Sequence, residues 1–416
     1  MRIAMISEHA SPLALLGSVD AGGQNAHVAE LSAALAGMGH EVRVYTRRDG
    51  VDLPELVPFA DGVDVVHIPA GPAEPVPKDA LLPYMKQFSR ALVHRWQGSG
   101  WTPDIVHAHF WMSGLAAVWA IRDLSRFGAR PPLVLTYHAL GSVKRRYQGL
   151  ADTSPPARID YERALGRSVD RIVAQCADEV AELVLLGVPA ERITVIPSGV
   201  DLGRFSPDGP RAEAAAGRPR VLSVGRLVER KGFADLVQAM TLVQDAECVV
   251  VGGPPEAGLA TDPVAHRLRE LADAWRVGDR VRLVGAVPRE EMAAWYRSAD
   301  VVVCAPWYEP FGLTPLEAMA CGVPVVASAV GGLTDTVVDQ VTGVLVRPRD
   351  PRALGVAVRR LLADPARRAA YAAAALERAR AAYSWHRMAT RLSEVYAAAA
   401  VLAPPERGGD VMTAVG

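Results

Sequence analysis

Cysteine is scarce in this chain. Four occur among 416 residues, Cys176, Cys248, Cys304 and Cys321, and no two form a Cys-x-x-Cys pair. That excludes a disulfide framework; three of them lie in apolar runs and read as small core residues of a reducing, cytoplasmic compartment. An excess of either charge is also missing: 45 basic and 46 acidic residues leave a net charge of -1. Duplex nucleic acid and other bulk electrostatic partners are therefore not expected, although a local basic pocket remains open. No uncharged apolar run reaches the ~20 residues of a membrane span. Residues 1–18 are interrupted by Glu8 and His9 and read as a strand and a loop rather than a signal peptide. A strongly basic amphipathic helix is absent too, so membrane contact is expected to be peripheral at most. The arginines of 350–380 read as a solvated helical face. No internal repeat is present.

What the chain does have is apolar residues, at half of its length, and that length is comfortable for two domains. Short β-branched runs at 3–7, 42–46, 65–68, 105–108, 133–136, 171–174 and 193–196 alternate with helical patterns such as 24–38, 80–96 and 112–126. The scheme restarts with runs at 220–224, 247–251, 281–284, 301–304, 323–327 and 344–346. Alternation of this kind predicts an α/β protein of two doubly wound parallel sheets covered on both faces. The domains expected are 1–200 and 219–383, joined by a Gly-, Pro- and charge-rich linker at 201–218. A helix at 384–402, with Trp385, Met388, Leu392 and Tyr396 near one face, is expected to pack back onto the first domain, and 403–416 reads as a frayed tail.

Three stretches stand at strand ends, where such sheets hold ligands. In SVDAGGQNAHV, Gly22 and Gly23 permit a tight turn, and the helix from Gln24 presents free N–H groups and its positive dipole end to an anion. A plain loop is the equal alternative. In SVGRLVERKGF, Gly225 ends a strand and Arg226 and Lys231 follow, a guanidinium fork and a point charge suited to a diphosphate. The alternative is a solvated basic turn, to which Arg230 also belongs. In EPFGLTPLE, Glu309 precedes Phe311, Gly312 and Leu313, and Glu317 lies inside the helix that follows. Each carboxylate can accept two hydroxyl hydrogen bonds, Gly312 allows close approach, and the N–H groups of Leu313 and Thr314 suit phosphates. A molecule with diols at both ends and phosphates between them, a nucleotide sugar, has that layout. A helix-capping acid and a surface glutamate are the plain alternative, against which the apolar surroundings of Phe311 argue.

Together with the early GGQN and with TYHALG, these motifs resemble the retaining GT-B glycosyltransferases of family 4, over nearly the whole chain and in the same order. IPAGPAEPVPKDALLPYM, HAHFWMSG and HALGSVKRRYQG are further similar to sucrose-phosphate synthases and to the inositol-phosphate transferase of mycothiol synthesis. The resemblance implies a GT-B fold of two Rossmann-like domains with an interdomain cleft. It implies a nucleotide-sugar donor, UDP-glucose or UDP-N-acetylglucosamine ahead of GDP-mannose. Glu309 would hold the hydroxyls of the donor sugar, Glu317 the ribose, and Arg226 and Lys231 the diphosphate, near the backbone of Gly23. His138 would stand beside the reacting carbon, with a strand-capping role as its alternative, and Val287 and Arg289 near the base. Front-face displacement with retention needs no protein base, since a diphosphate oxygen can take the proton. No cofactor and no metal are implied, in agreement with the lack of any Asp-x-Asp motif.

On the acceptor side the resemblance implies Gln24, His109 and the cations Lys78, Lys144 and Arg158, the last three suited to a phosphorylated sugar or polyol; three ordinary surface cations are the alternative. Phe110 and Ala139 stand where the inositol-phosphate pattern has Tyr and Thr, so two hydroxyls are missing. The oligomeric state stays open, a homodimer among the options. A sugar-nucleotide epimerase, a phosphorylase or a non-catalytic nucleotide-sugar-binding subunit on the same fold are the competing readings.

Overall fold

Arg2–Ile6 (β1) is buried at all but its first position, as a strand covered on both faces must be. The structure, a computed structural model, describes residues 1–14, 22–213 and 217–402; the expected tail at 403–416 and part of the expected linker lie outside them. The chain forms two units. One comprises Met1–Ala14, Gly23–Pro197 and the chain from Trp385; the other includes Ser198–Ser384.

In the first unit β1 is joined by Glu41–Arg47 (β2), Leu56–Ala60 (β3), Val63–Ile68 (β4), Ile105–His109 (β5), Leu133–Thr136 (β6), Arg171–Ala174 (β7) and Ile193–Val195 (β8). They form one sheet in the order β3-β4-β2-β1-β5-β6-β7-β8. Gly23–Gly37 (α1), Met85–Gly98 (α2), Trp111–Ser125 (α3), Gly141–Gln148 (α4), Arg158–Ser168 (α5) and Ala177–Leu185 (α6) lie between them in the chain. The direction of winding reverses at β1 and β5, so the carboxyl ends of these two strands mark the place where a ligand finds a crevice.

The second unit repeats the scheme. Arg220–Val224 (β9), Glu247–Val251 (β10), Val281–Gly285 (β11), Val301–Cys304 (β12), Val325–Ser328 (β13) and Gly343–Val346 (β14) form a sheet ordered β11-β10-β9-β12-β13-β14, parallel throughout. Its helices are Phe233–Ala239 (α7), Pro263–Ala274 (α8), Met292–Arg297 (α9), Leu313–Ala320 (α10), Leu333–Thr336 (α11), Pro351–Ala363 (α12) and Pro365–Ala382 (α13). Here the reversal falls between β9 and β12.

The last helix, Trp385–Leu402 (α14), belongs to the first unit: Met388, Leu392 and Tyr396 are buried in one cluster with Val28, Leu31 and Leu35 of α1. Burying a side chain the size of Leu392 contributes about 1.5–3 kcal/mol. All four cysteines are buried free thiols. No helix among the described residues is long and apolar enough to cross a membrane.

Three local expectations are corrected. β3 pairs antiparallel with β4, so the first sheet is not wholly parallel; Pro58 and its half-exposed pattern hide this edge strand from a β-branched search. The helix expected over 80–96 begins only at Met85, because Pro83 sits in a tight single turn, Leu82–Tyr84, just before it. The strand expected from 323 starts at Val325, since Pro324 has no N–H to give; its carbonyl accepts from Val302 N at 3.1 Å.

One buried acid makes stability depend on pH. Glu179 reaches back from the first turn of α6 to accept a bond from Gln175 N at 2.7 Å, while its other oxygen is buried without a hydrogen-bond partner among the described residues. Burial pushes its carboxyl up to about 7. A raised folded-state value gives stability that is full below the ordinary carboxylate range and lost as pH rises through about 7. Glu179→Gln should therefore raise the melting temperature at pH 8, by the equivalent of ~3 kcal/mol at most, and change little at pH 5. Thermal melts at the two pH values check this; an equal shift at both would rule the titration out.

Candidate active site

The second unit gathers its charged residues where its sheet reverses. β9 ends at Val224, and the chain continues through Gly225 and Arg226 into one tight turn, Glu229–Lys231. Gly232 stops that turn with a φ of 69°, and a Cβ there would collide with the carbonyl oxygen of Ala305, just after β12. Trp307 N donates to Arg230 O at 2.8 Å. The basic turn is thereby fixed against the loop carrying Glu309. Lys231 Nζ stands 2.5 Å from Glu309 Oε2, and Arg230 Nη1 lies 3.8 Å from the same oxygen. Burial pushes the Glu309 carboxyl upward, but Lys231, Arg230 and Arg226 outweigh it and hold it below the ordinary carboxylate range. Arg230 Nη1 is itself buried and has no hydrogen-bond partner among the described residues.

Glu317 projects from α10, which begins after Gly312, a residue at a φ of 87° where a Cβ would meet Leu333 Cδ2 at 2.7 Å. Its carboxylate accepts from Tyr296 OH at 2.7 Å and from Arg289 Nη1 at 3.0 Å. Burial first, and then this neighbouring carboxylate, push the Tyr296 phenol well above its usual value, so it stays a donor. Phe311 is buried, Val287 and Leu313 pack against the same apolar cluster, and Thr314 Oγ1 donates to Val224 O at 3.4 Å. Of the expected donor residues, the fold pairs Lys231 with Glu309 and Arg289 with Glu317. Arg230 and Tyr296 were not among them. In the sequence Arg230 reads as part of a solvated turn, and Tyr296 of α9 reads as one more core aromatic, buried in the apolar cluster of the second unit.

In the first unit the ends of β1, β5 and β6 bring histidines together. His109 Nδ1 lies 2.9 Å from His138 Nε2, and the rings stack at 5.1 Å. His27 of α1 meets the ring of His138 edge-on at 4.9 Å. His107 is fixed by Tyr396 OH at 2.7 Å and Thr136 Oγ1 at 2.9 Å. Burial pushes His27 and His107 down to about 3. Burial, and then neighbouring imidazoles, push His109 and His138 in the same direction. These rings are neutral at pH 7. Phe110 and His138 sit at positive φ, 86° and 60°, at the ends of β5 and β6; non-glycine residues held there cluster at working sites. Gln24 Nε2 donates to Ser7 Oγ and His109 O, while Gly23, the first residue of α1, is exposed. A second pairing was not legible in the sequence: buried Glu8 holds His9 Nδ1 at 2.7 Å and accepts from Ser113 Oγ.

The three expected acceptor cations do meet, but carboxylates meet them. Lys144 Nζ lies 3.0 Å from Asp152, 3.4 Å from Asp79 and 2.9 Å from Ser154 Oγ; Lys78 faces Asp79 at 3.9 Å. Arg158 is fully buried, with Nε on Glu162 at 2.7 Å, Nη1 on Ser154 Oγ at 3.2 Å and Nη2 on Ala139 O at 2.6 Å. The reading as ordinary surface cations fails for Arg158. A phosphate here would have to share these cations with Asp79 and Asp152.

Residues 209–378 match the model of glycosyl transferases group 1, and residues 21–204 that of glycosyltransferase family 4. The D-inositol 3-phosphate glycosyltransferase of Xylanimonas cellulosilytica is 40% identical over 96% of this chain and 97% of its own length. D-inositol 3-phosphate glycosyltransferase 1 of Catenulispora acidiphila is 39% identical over 96% of each chain. This chain belongs to the family 4 GT-B glycosyltransferases. Among solved structures, sucrose-phosphate synthase from Thermosynechococcus elongatus superposes with a TM-score of 0.86 at 32% identity, over 97% of this glycosyltransferase and all of that chain. Anabaena HepE in complex with UDP-glucose shares the fold at a TM-score of 0.72 and 18% identity, over 96% of this chain and all of its own. The glycosyltransferase is thus an enzyme of sugar transfer.

Proposed function

We propose that this glycosyltransferase moves a hexosyl group, with retention, from a uridine nucleotide sugar to a phosphorylated polyol or sugar, inositol phosphate first among them. The observation that carries the donor half is the anchored Lys231–Glu309 pair at the reversal of the second sheet, beside Arg226 and the buried donor of Arg230. Cations and a carboxylate held so close suit adjoining parts of one ligand, a diphosphate and the hydroxyls of a sugar. Glu317 takes the ribose hydroxyls, oriented by Tyr296 and Arg289, and Val287 stands toward the base. Gly23 and the N–H groups of Leu313 and Thr314 add backbone donors to the diphosphate. His138, a neutral imidazole, serves the donor sugar at the reacting carbon.

The proposed chemistry is front-face displacement: the bond from the anomeric carbon to the diphosphate breaks, the acceptor oxygen bonds to the same face, and its proton passes to a diphosphate oxygen. The protein contributes cations to the departing diphosphate and holds the acceptor hydroxyl on the face from which that diphosphate leaves. No metal or cofactor is part of this reading. The acceptor half leans on the names of the relatives and on the gathering of Lys78, Lys144 and Arg158; Arg158 reaches the ring of Phe110, next to His109, whose carbonyl accepts from Gln24.

A thermal-shift panel of UDP, GDP and ADP tests the donor. UDP at a hundred times its dissociation constant should add about 2.7 kcal/mol of stability, a rise of a few degrees. Glu317→Ala should abolish most of that rise. A melting temperature unmoved by every nucleotide sinks the proposal. For the acceptor, Lys144→Ala should lower kcat/KM about tenfold or more with a phosphorylated acceptor and little with its unphosphorylated counterpart. Equal losses on both would remove the phosphate assignment.

A further inference from the structure

His27 has no role in the transfer proposed above, yet it faces two residues that do. One ring nitrogen each of His27, His109 and His138 lies within 4.8 Å of the other two. Imidazole bonds zinc at about 2.0–2.1 Å, so tetrahedral ligation sets ligand nitrogens roughly 3.3 Å apart. His109 and His138 are already at 2.9 Å. Only the His27 nitrogen has to close, by about 1.5 Å at most relative to that spacing.

The rings are held from outside. His27 packs edge-on against Trp385 at 5.3 Å and has the Gln175 amide 3.4 Å from its Nδ1; His109 has Met5 Sδ 3.2 Å from its Nε2. These neighbours fix the planes of the two rings, and the Gln175 amide, with its oxygen turned to Nδ1, would accept the N–H there and leave His27 Nε2 to ligate. His27 and His109 are buried, but His138 is partly exposed, which gives an ion a way in and leaves a fourth position for water or an anion. All three donors are imidazoles, a set that selects zinc, copper, nickel or cobalt over magnesium and calcium.

We propose that His27, His109 and His138 bind a divalent transition metal of the zinc class, and that its binding inhibits transfer by taking the imidazole of His138. The inhibitory half rests on the assignment of His138 to the donor sugar; the binding half stands on the three side chains alone.

Cobalt(II) supplies a spectroscopic readout independent of activity. The full chain, stripped with a chelator, is titrated with Co²⁺ and then with Zn²⁺. The expected result is an intense visible band of low-coordinate cobalt, saturating at about one equivalent per chain and bleached by zinc. His27→Phe keeps an aromatic ring against Trp385 and should transfer sugar at the parent rate in metal-free buffer. It should lack the band and need at least about tenfold more zinc for inhibition. His27→Leu, with a melting curve, serves if the phenylalanine variant does not fold. No band in the parent, or the same band in both variants, overturns the proposal. A band that depends on His27, with undiminished transfer by the zinc-loaded parent, overturns the inhibitory half and the role of His138 with it.

Discussion

Lys231→Ala should lower the turnover number by about 10²–10³-fold, the loss that follows when one preorganised donor to a developing anion is removed. The expectation comes from the position of Lys231 rather than from its charge alone. Its turn is clamped by Gly232 against the backbone after β12, and its ammonium group meets Glu309 at 2.5 Å. A cation so held needs little reorganisation when charge builds on the departing diphosphate. The same variant leaves the partly buried Glu309 with Arg230, 3.8 Å away, as the cation it faces. Its carboxyl should then rise toward the ordinary range. In the parent, Glu309 has a depressed folded-state value, so its stabilising contribution is present above the ordinary carboxylate range and lost as pH falls through that depressed value. The variant should lose stability on acidification at a higher pH than the parent does. Initial rates with saturating donor and acid melts of both proteins check the two halves. Lys231→Arg should recover most of the stability and only part of the rate, because a planar fork cannot reproduce a point charge. A folded Lys231→Ala protein within threefold of parental turnover would remove this lysine from the mechanism.

Arg158→Ala should cost about 3–5 kcal/mol, the largest stability loss expected of any single change discussed for this chain. Its guanidinium is 1% exposed, and the bonds to Glu162, Ser154 and Ala139 account for three of its five N–H donors. The head group also lies 5.0 Å from the ring of Phe110 and 5.9 Å from that of Trp111. Truncation leaves the wholly buried Glu162 carboxylate with the N–H of Gly141 as its one hydrogen-bond donor among the described residues. Burial already raises the Glu162 carboxyl above its ordinary value, with Arg158 only partly offsetting the effect. Loss of Arg158 should raise it further. A raised folded-state value favours the protonated fold, so the variant should be least stable in alkaline buffer and recover part of the loss as pH falls. Urea titrations at pH 5.5 and pH 8.5 measure this. Arg158→Met combined with Glu162→Leu should be more stable than Arg158→Ala, since no buried charge is then left alone. A cost below about 1 kcal/mol at both pH values would mean that Glu162 is solvated in a way the packing does not suggest.

The apolar runs made the two sheets legible, because a parallel strand covered on both faces has to be continuously hydrophobic. β12 and β9 were found at their observed limits for that reason. β3 escaped because it lies at an edge, half wet and interrupted by Pro58. The glutamates, the arginines and Lys231 were legible as residues but not as pairs. Arg289 and Glu317 lie 28 positions apart, and Lys231 and Glu309 78 apart; only the reversal of the sheet sets them face to face. His27 was unreadable for another reason. It falls among the inward positions of α1, where a histidine and a core residue follow the same period. Of the acids that hold the acceptor-side cations, Glu162 stands one helical turn beyond Arg158, a spacing that marks an ion pair, whereas nothing local ties Asp79 or Asp152 to Lys144.

The return of α14 to the first unit has a consequence during synthesis. The ribosome finishes Pro197 long before it reaches Trp385, and at 5–20 residues per second the interval is roughly 10–40 s. Throughout it, α1 lacks its covering helix and His107 lacks the hydroxyl of Tyr396. The nascent chain therefore presents an oily stripe to chaperones while its later half is still being made, and the part translated first is the part completed last.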